Sequence, residues 1–248
     1  MACRPIYQFY AELDGYKPKV WRRFQVMEDA TVAKLAYILM TLFEMQASHL
    51  YSFEVDEFEN YIVKYKEIYK SHPEYFKKEE DLFKIGQYGC IFDEEDILPL
   101  IDNRYRELKN ARDVKIRHII NEEEQKMVFN YDFWEDWQIN IVLEKIIEDP
   151  NIKGRDLPRV LEGEGFGIIE DCGGIGGLED IREAFKEKKG EIYEVYRDWF
   201  ETDKIDLDKC DLDDLNFRLK KVPRIYRYIY EYNLPPTEGS LKILYREY

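Results

Sequence analysis

The chain has few of the residues that build metal centres and disulfide frameworks. Its 248 residues include four cysteines and three histidines. Cys3, Cys90, Cys172 and Cys210 are widely spaced and form no CxxC pair, which fits a reducing compartment better than a disulfide scaffold. Neither CxxC nor HExxH is present to gather zinc ligands, and no nucleophile elbow or serine-triad signature appears. Excess positive charge is missing too. Thirty-seven Lys and Arg stand against 52 Asp and Glu, a formal net charge of −15. Phosphate backbones call for a basic field, so broad nucleic-acid binding is not expected. No apolar run approaches bilayer-spanning length and the amino terminus carries no apolar signal segment, so the expectation is a cytoplasmic protein with no membrane role.

What the chain does have is apolar mass. At 45% hydrophobic and 15% aromatic it can bury a full core despite 36% charged residues, so global disorder is not expected. Residues 6 to 14 are rich in β-formers and stop at the turn signal Asp14-Gly15, and Val20 to Val26 form a second such run. The pair predicts a hairpin. Thr31 then stands where a helix N-cap belongs, with Lys34 in place of a capping-box acid, and Leu35, Ile38, Leu39, Leu42 and Phe43 repeat on one helical face. Leu50 to Val55 reads as a third strand. The fold class predicted is α+β: a mixed β-sheet with a β-grasp-like hairpin–helix–strand start, a helical insertion and a helical C-terminal part. The insertion is expected at about 56–92, where Tyr61, Tyr65, Ile68 and Tyr69 repeat at helical spacing. It interrupts a single domain over 1–220, followed by a tyrosine-rich extension over 221–248. The charged stretch from Arg104 to Arg117 is open to a helix or an edge strand.

The most informative segment runs from Tyr131 to Glu144. Its first half sets Asp132, Glu135 and Asp136 beside Trp134 and Trp137, and its second half alternates through Ile139, Ile141 and Leu143 as a half-buried strand. Carboxylates against large rings are where pKa values move, which makes this turn the leading candidate site. The plain reading is also available: both tryptophans cover the core, and Asp132 and Asp136 are turn residues accepting backbone hydrogen bonds. His49 and Cys172 are the other candidates, as general base, nucleophile or metal ligands, although no pattern brings them together. No cofactor is expected.

Three further patterns carry little. Seven glycines between Gly163 and Gly177 predict tight turns or close backbone approach, and Gly174-Ile-Gly-Gly-Leu178 lacks the ending of a phosphate loop. The acidic run Asp203, Asp206, Asp208, Asp211, Asp213 and Asp214 is out of register for an EF-hand, and Asp211 reads as the N-cap of a helix through Leu219. Lys17, Lys19, Arg22 and Arg23 form one early basic cluster, a nucleic-acid candidate whose plain reading is a solvated strand edge.

Several segments together resemble the plasmid pRiA4b ORF-3-like proteins, also described as transposon passenger or TnpR-like proteins. They are Lys17 to Val26 with Trp21, Arg22 and Arg23; Ser48 and His49 at the head of Ser48 to Glu54; Tyr131, Asp132, Phe133, Asp136 and Trp137 with Ile141 and Leu143-Glu144; Pro158-Arg159 and Gly163; Glu170, Asp171, Cys172, Gly173 and Gly174; and Leu212 to Leu219. The resemblance covers about residues 5–55 and 93–220. It implies a fold more than an activity. Where the family pattern has histidines this chain has Tyr51 and Ile139, Trp134 replaces a glycine, and Val160 and Gly167 replace cysteines. Ile168 and Ile169 stand for paired prolines. If relatives bind a metal through those groups, most of the ligands are gone here. The reading reached is a non-enzymatic interaction module with a protein partner, and the resemblance implies a link to mobile elements. A metal-dependent or carboxylate-based hydrolase and a nucleic-acid-associated protein using Trp21, Arg22 and Arg23 are the alternatives.

Overall fold

A computed structural model describes residues 4–55, 85–89, 106–200 and 206–248. Strands β1 (Ile6–Leu13) and β2 (Trp21–Met27) form the expected hairpin, with Ile6 opposite Met27 and Glu12 opposite Trp21. Helix α1 (Val32–Leu42) follows, then β3 (Tyr51–Val55), so the hairpin–helix–strand opening is present in that order. Strands β4 (Ile85–Gly89), β5 (Arg106–Asn110), β6 (Lys126–Tyr131), β7 (Trp137–Ile147) and β8 (Arg159–Glu164) complete the sheet among the described residues. Its order is β5-β4-β3-β6-β7-β1-β2-β8. All neighbours are antiparallel except β4 and β5, which makes the sheet mixed.

Two expectations change here. Ile85–Gly89, expected at the close of a helical insertion, is strand β4, because the edge of β3 offers its backbone groups a ladder. Residues 56–84 and 90–105, with Tyr61, Tyr65, Ile68, Tyr69 and Cys90, lie outside the described residues, as do Cys3 and Asp203. Arg22 and Arg23 are not on a sheet edge either, since β2 lies between β1 and β8; Lys17 and Lys19 are exposed in the connection before it. The stretch that could have been helix or strand holds β5 and then a short 3-10 turn at Ile116–His118.

Helix α1 is the centre of the molecule. Ten of its eleven residues are buried: all of these but Thr41 belong to the same hydrophobic cluster as the buried residues of the sheet, and two C-terminal helices pack on the helix. The Thr31 hydroxyl accepts from the Lys34 amide, and the amides of Val32 and Ala33 donate to the Val114 and Ala111 carbonyls. Three donors that a helix start leaves open are thereby satisfied without a capping-box acid. Helices α2 (Gly174–Glu187) and α3 (Glu191–Phe200) follow β8; then come α4 (Leu212–Leu219), α5 (Val222–Tyr232) and α6 (Glu238–Leu244). Asp211 caps α4 through the Asp214 amide, as expected. Helices α4 and α5 pack on α1, with Val222 and Tyr226 buried and Tyr37 in ring contact with Tyr226 and Tyr230. The tyrosine-rich tail thus supplies core.

Sheet order is what gathers the motifs. The start of β3 lies beside the end of β6, with Tyr51 opposite Tyr131, and β7 runs on into the centre beside β1. Segments more than eighty residues apart therefore meet at one end of the sheet.

Candidate functional site

The site is built on a strained, well-held turn. Asp132 and Asp136 both adopt positive φ, 53° and 54°, a conformation that aspartate tolerates better than most residues. The Asp132 amide donates to the Leu50 carbonyl at 3.0 Å, and the Asp136 amide donates to the Asp132 carbonyl at 2.7 Å. Asp132 Oδ1 accepts from the Trp134 amide. Trp137 enters β7 fully buried. Trp134 does not: it is 94% exposed, and Phe133 is 41% exposed. The expectation that both tryptophans cover the core therefore holds for Trp137 and fails for Trp134. The reversal follows from the turn, whose positive-φ aspartates invert the chain and point its middle outward.

Glu135 joins this turn to the next motif. One carboxylate oxygen accepts from the amides of Gly173 and Gly174 at 2.6 and 3.2 Å, at the start of α2, and the other accepts from the Trp137 indole at 2.9 Å. Helix α2 has no side-chain cap of its own, so Glu135 supplies the negative charge its N-terminus favours. The glycines explain themselves at two positions. Gly174 has φ 71°, and a Cβ on Gly177 would lie 1.7 Å from the Cys172 carbonyl oxygen.

His49 and Asp132 come together, with partners that sequence reasoning had not grouped with them. His49 Nδ1 lies 3.6 Å from Asp132, and Nε2 lies 3.8 Å from both Glu170 and Asp171. All three separations exceed hydrogen-bond length, and Nε2 is buried without a hydrogen-bond partner. Glu170 is the hub. One oxygen accepts from the Gln46 amide at 2.6 Å and from the Tyr131 hydroxyl; the other accepts from the Ser48 hydroxyl at 2.7 Å. The Tyr131 oxygen in turn accepts from the amides of Ser48 and His49. Burial, reinforced by the Glu170 charge, pushes the Tyr131 phenol well above its ordinary pKa. The hydroxyl is thereby kept as a donor to Glu170.

Cys172 and Asp136 stay apart from this group. The Cys172 thiol donates to the Gly174 carbonyl, and Asp136 accepts from Gln138. Burial, with the Glu135 charge added, pushes the Cys172 thiol up to about 12. A nucleophile or metal ligand would need the thiolate. Among the described residues no group of three or more His, Cys, Asp or Glu is arranged to hold a metal ion.

The basic motif is structural. Arg22 is fully buried and donates to five backbone carbonyls: Trp21, Leu42, Glu164, Gly165 and Phe166. Arg23 pairs with Glu144 through two bonds of 2.7 and 2.8 Å and also meets Glu162. Trp21 stacks on Tyr10, with Arg23 over both rings. Lys19 is paired with Glu12.

A mixed sheet with one buried helix in its core, and with His49, Tyr131, Asp132 and Glu170 meeting at the β3–β6 end, defines an α+β protein whose buried polar residues mostly hold loops in place. The chain belongs to the plasmid pRiA4b ORF-3-like protein family, whose sequence pattern matches residues 5–214. A search of curated proteins gives no match. A crystal structure of a protein of unknown function, MM3350 from Methanosarcina mazei Go1, superposes with a TM-score of 0.62 at 21% identity, covering 85% of this chain and 96% of its own. That likeness is one of fold. No helix among the described residues is long and apolar enough to cross a membrane.

Proposed function

We propose that this chain is a non-enzymatic binding module of the cytoplasm that takes a basic segment of a partner protein on the Phe133–Trp134 turn. The observation that carries the reading is Trp134, 94% exposed on a turn held by five hydrogen bonds. A large ring presented on rigid backbone loses little entropy when it is covered, and tryptophan is prominent among interface anchors. Exposed Asp136 and Asp171, on a chain of net charge −15, suit a partner rich in Lys and Arg. A cationic side chain over the Trp134 ring would add to that. A link to mobile elements rests on the family resemblance alone.

The hydrolase reading is weaker because most of its groups are already engaged, His49 excepted: Asp132 accepts from the Trp134 amide and Asp136 from Gln138. Glu170 accepts three hydrogen bonds, Glu135 caps a helix and Cys172 keeps its proton. Nucleic-acid binding through Trp21, Arg22 and Arg23 is weaker still, since one guanidinium is buried and the other is paired. The test is a titration with a Lys- and Arg-rich peptide, followed by tryptophan emission. A saturable, salt-sensitive shift that Trp134→Ala abolishes is expected. An unchanged spectrum, or an equal response in the variant, overturns the proposal. Stoichiometric metal in the purified protein would favour the hydrolase.

A further inference from the structure

A second buried arginine lies outside the motif cluster and is bonded very differently from Arg22. Arg218, on α4, is 3% exposed. Its Nη1 donates to the carbonyls of Ile243 and Leu244 at 2.9 and 3.3 Å, at the end of α6. Its Nε is buried and has no acceptor at all. Among the described residues no carboxylate approaches it as an ion pair. The acid one helical turn earlier, Asp214, accepts from Arg246 at 2.8 Å and from the Tyr248 hydroxyl, which Arg218 also reaches. A buried cation without a counter-ion and with a donor left open is costly, and the open donor calls for an acceptor from outside the fold.

Arg218 lines an open cavity of about 390 Å³, within the size range of small-molecule sites. Its walls are mostly apolar and aromatic, with Phe166, Ile168, Trp199, Phe200, Tyr226 and Leu244 facing it. The other charged residues of the lining are already engaged: Glu44 is paired with Arg246 at 2.6 Å, and Glu170 serves Gln46, Ser48 and Tyr131. Tyr226 donates to the Met45 carbonyl. A guanidinium with no carboxylate ion pair and an open Nε amid rings, with two acids in the same wall, favours a single negative charge over a phosphate dianion. A carboxylate matches the guanidinium fork.

We propose that this cavity, framed by α3, α4, α5 and α6, binds a monocarboxylate carried on an apolar body, with Arg218 holding the carboxylate and the aromatic walls holding the rest. The carboxylate could come from a free aryl-alkyl acid or from the C-terminus of a peptide ending in an apolar residue. Neither source involves the Trp134 turn, so this site stands or falls separately from the proposed function.

Calorimetry on the full chain tests it with four probes: 4-phenylbutyrate, its amide, and a Gly-Gly-Phe peptide with a free or an amidated C-terminus. Saturable binding of at least one free acid is expected, at least tenfold tighter than its amide. Whichever acid binds identifies the source. Arg218→Met is expected to weaken that binding at least tenfold. Because Arg218 also ties down the end of α6, Leu244→Trp provides a second variant, which fills the cavity and keeps the guanidinium and its carbonyl partners. Circular dichroism confirms that both stay folded. The proposal is overturned if neither acid binds, if amides bind as well as acids, or if folded Leu244→Trp binds like the parent chain.

Discussion

Arg22 and the Tyr131–Trp137 turn belong to the same recurring pattern, yet they solve opposite problems. Around Arg22 the guanidinium is saturated: it closes five carbonyls contributed by β2, the end of α1, the end of β8 and the loop that follows. At the turn the backbone is equally well held, but an aromatic ring is left in solvent and an imidazole nitrogen is left without a partner. The first region spends its polar residues on holding three segments together. The second uses them to hold something out. Residue type does not separate the two roles, since each region mixes charge with aromatics; the satisfaction of each group does.

The largest effect is expected at the saturated end of this contrast. Arg22→Met removes the donors of five carbonyls in a buried setting, and each acceptor left open there costs about 1–3 kcal/mol, partly recovered by relaxation. Chemical denaturation is expected to show a loss of at least about 3 kcal/mol, or no folded protein. A loss below about 1 kcal/mol would mean that water reaches those carbonyls and that the contrast is false.

Cys172 sharpens the comparison through pH. Its folded-state pKa is raised, so the stability tied to the protonated thiol is complete below the unfolded value of about 8.5 and is lost as pH climbs toward 12. Iodoacetamide labelling at pH 8, mapped by peptide mass spectrometry, should find Cys172 slower than an ordinary free thiol by roughly a hundredfold or more, because the thiolate reacts. The rate should rise steeply above pH 10. Ready labelling at pH 8 would reopen the nucleophile reading.

Glu135 is the link between the turn and α2, and its removal should have an intermediate effect. Glu135→Ala takes the acceptor from the Gly173 and Gly174 amides and from the Trp137 indole. A loss of about 1–2 kcal/mol is expected, the scale of a lost N-cap with some burial added. The local signature should be faster amide exchange in the first turn of α2. Unchanged protection there would show that α2 is held by packing alone.

How much of this was legible beforehand follows from the distance over which each feature acts. Thr31 and Asp211 as caps, the alternation through Ile139, Ile141 and Leu143, and the apolar repeat of α1 could all be read because they act within one element. The acid–imidazole group was half legible: His49 and Asp132 were both candidates, but Glu170 emerged as hub only when β3 paired with β6. The role of Arg22 could not be read, because three of its five acceptors lie 142 to 144 residues away, at the end of β8 and just after it. Strand β4 was hidden for a related reason, since its segment was expected to belong to the helical insertion and only the β3 edge made it a strand. Trp134 misled because a ring in a sequence carries no direction; the two positive-φ aspartates that aim it outward are the missing information.

The smallest effect on stability should come from Trp134→Ala, and it decides between the two ends of the comparison. A side chain 94% exposed contributes little burial, so the change is expected to stay within about 0.5 kcal/mol. If the turn exists to present this ring, binding must suffer where folding does not. The variant should unfold at the same denaturant midpoint as the parent chain while losing its response to the Lys- and Arg-rich peptide. Trp134→Phe, which keeps a ring of smaller area, should retain part of that response. A shift of the midpoint by more than about 1 kcal/mol would instead show that Trp134 packs against protein, and the turn would then be a second structural knot like the one around Arg22.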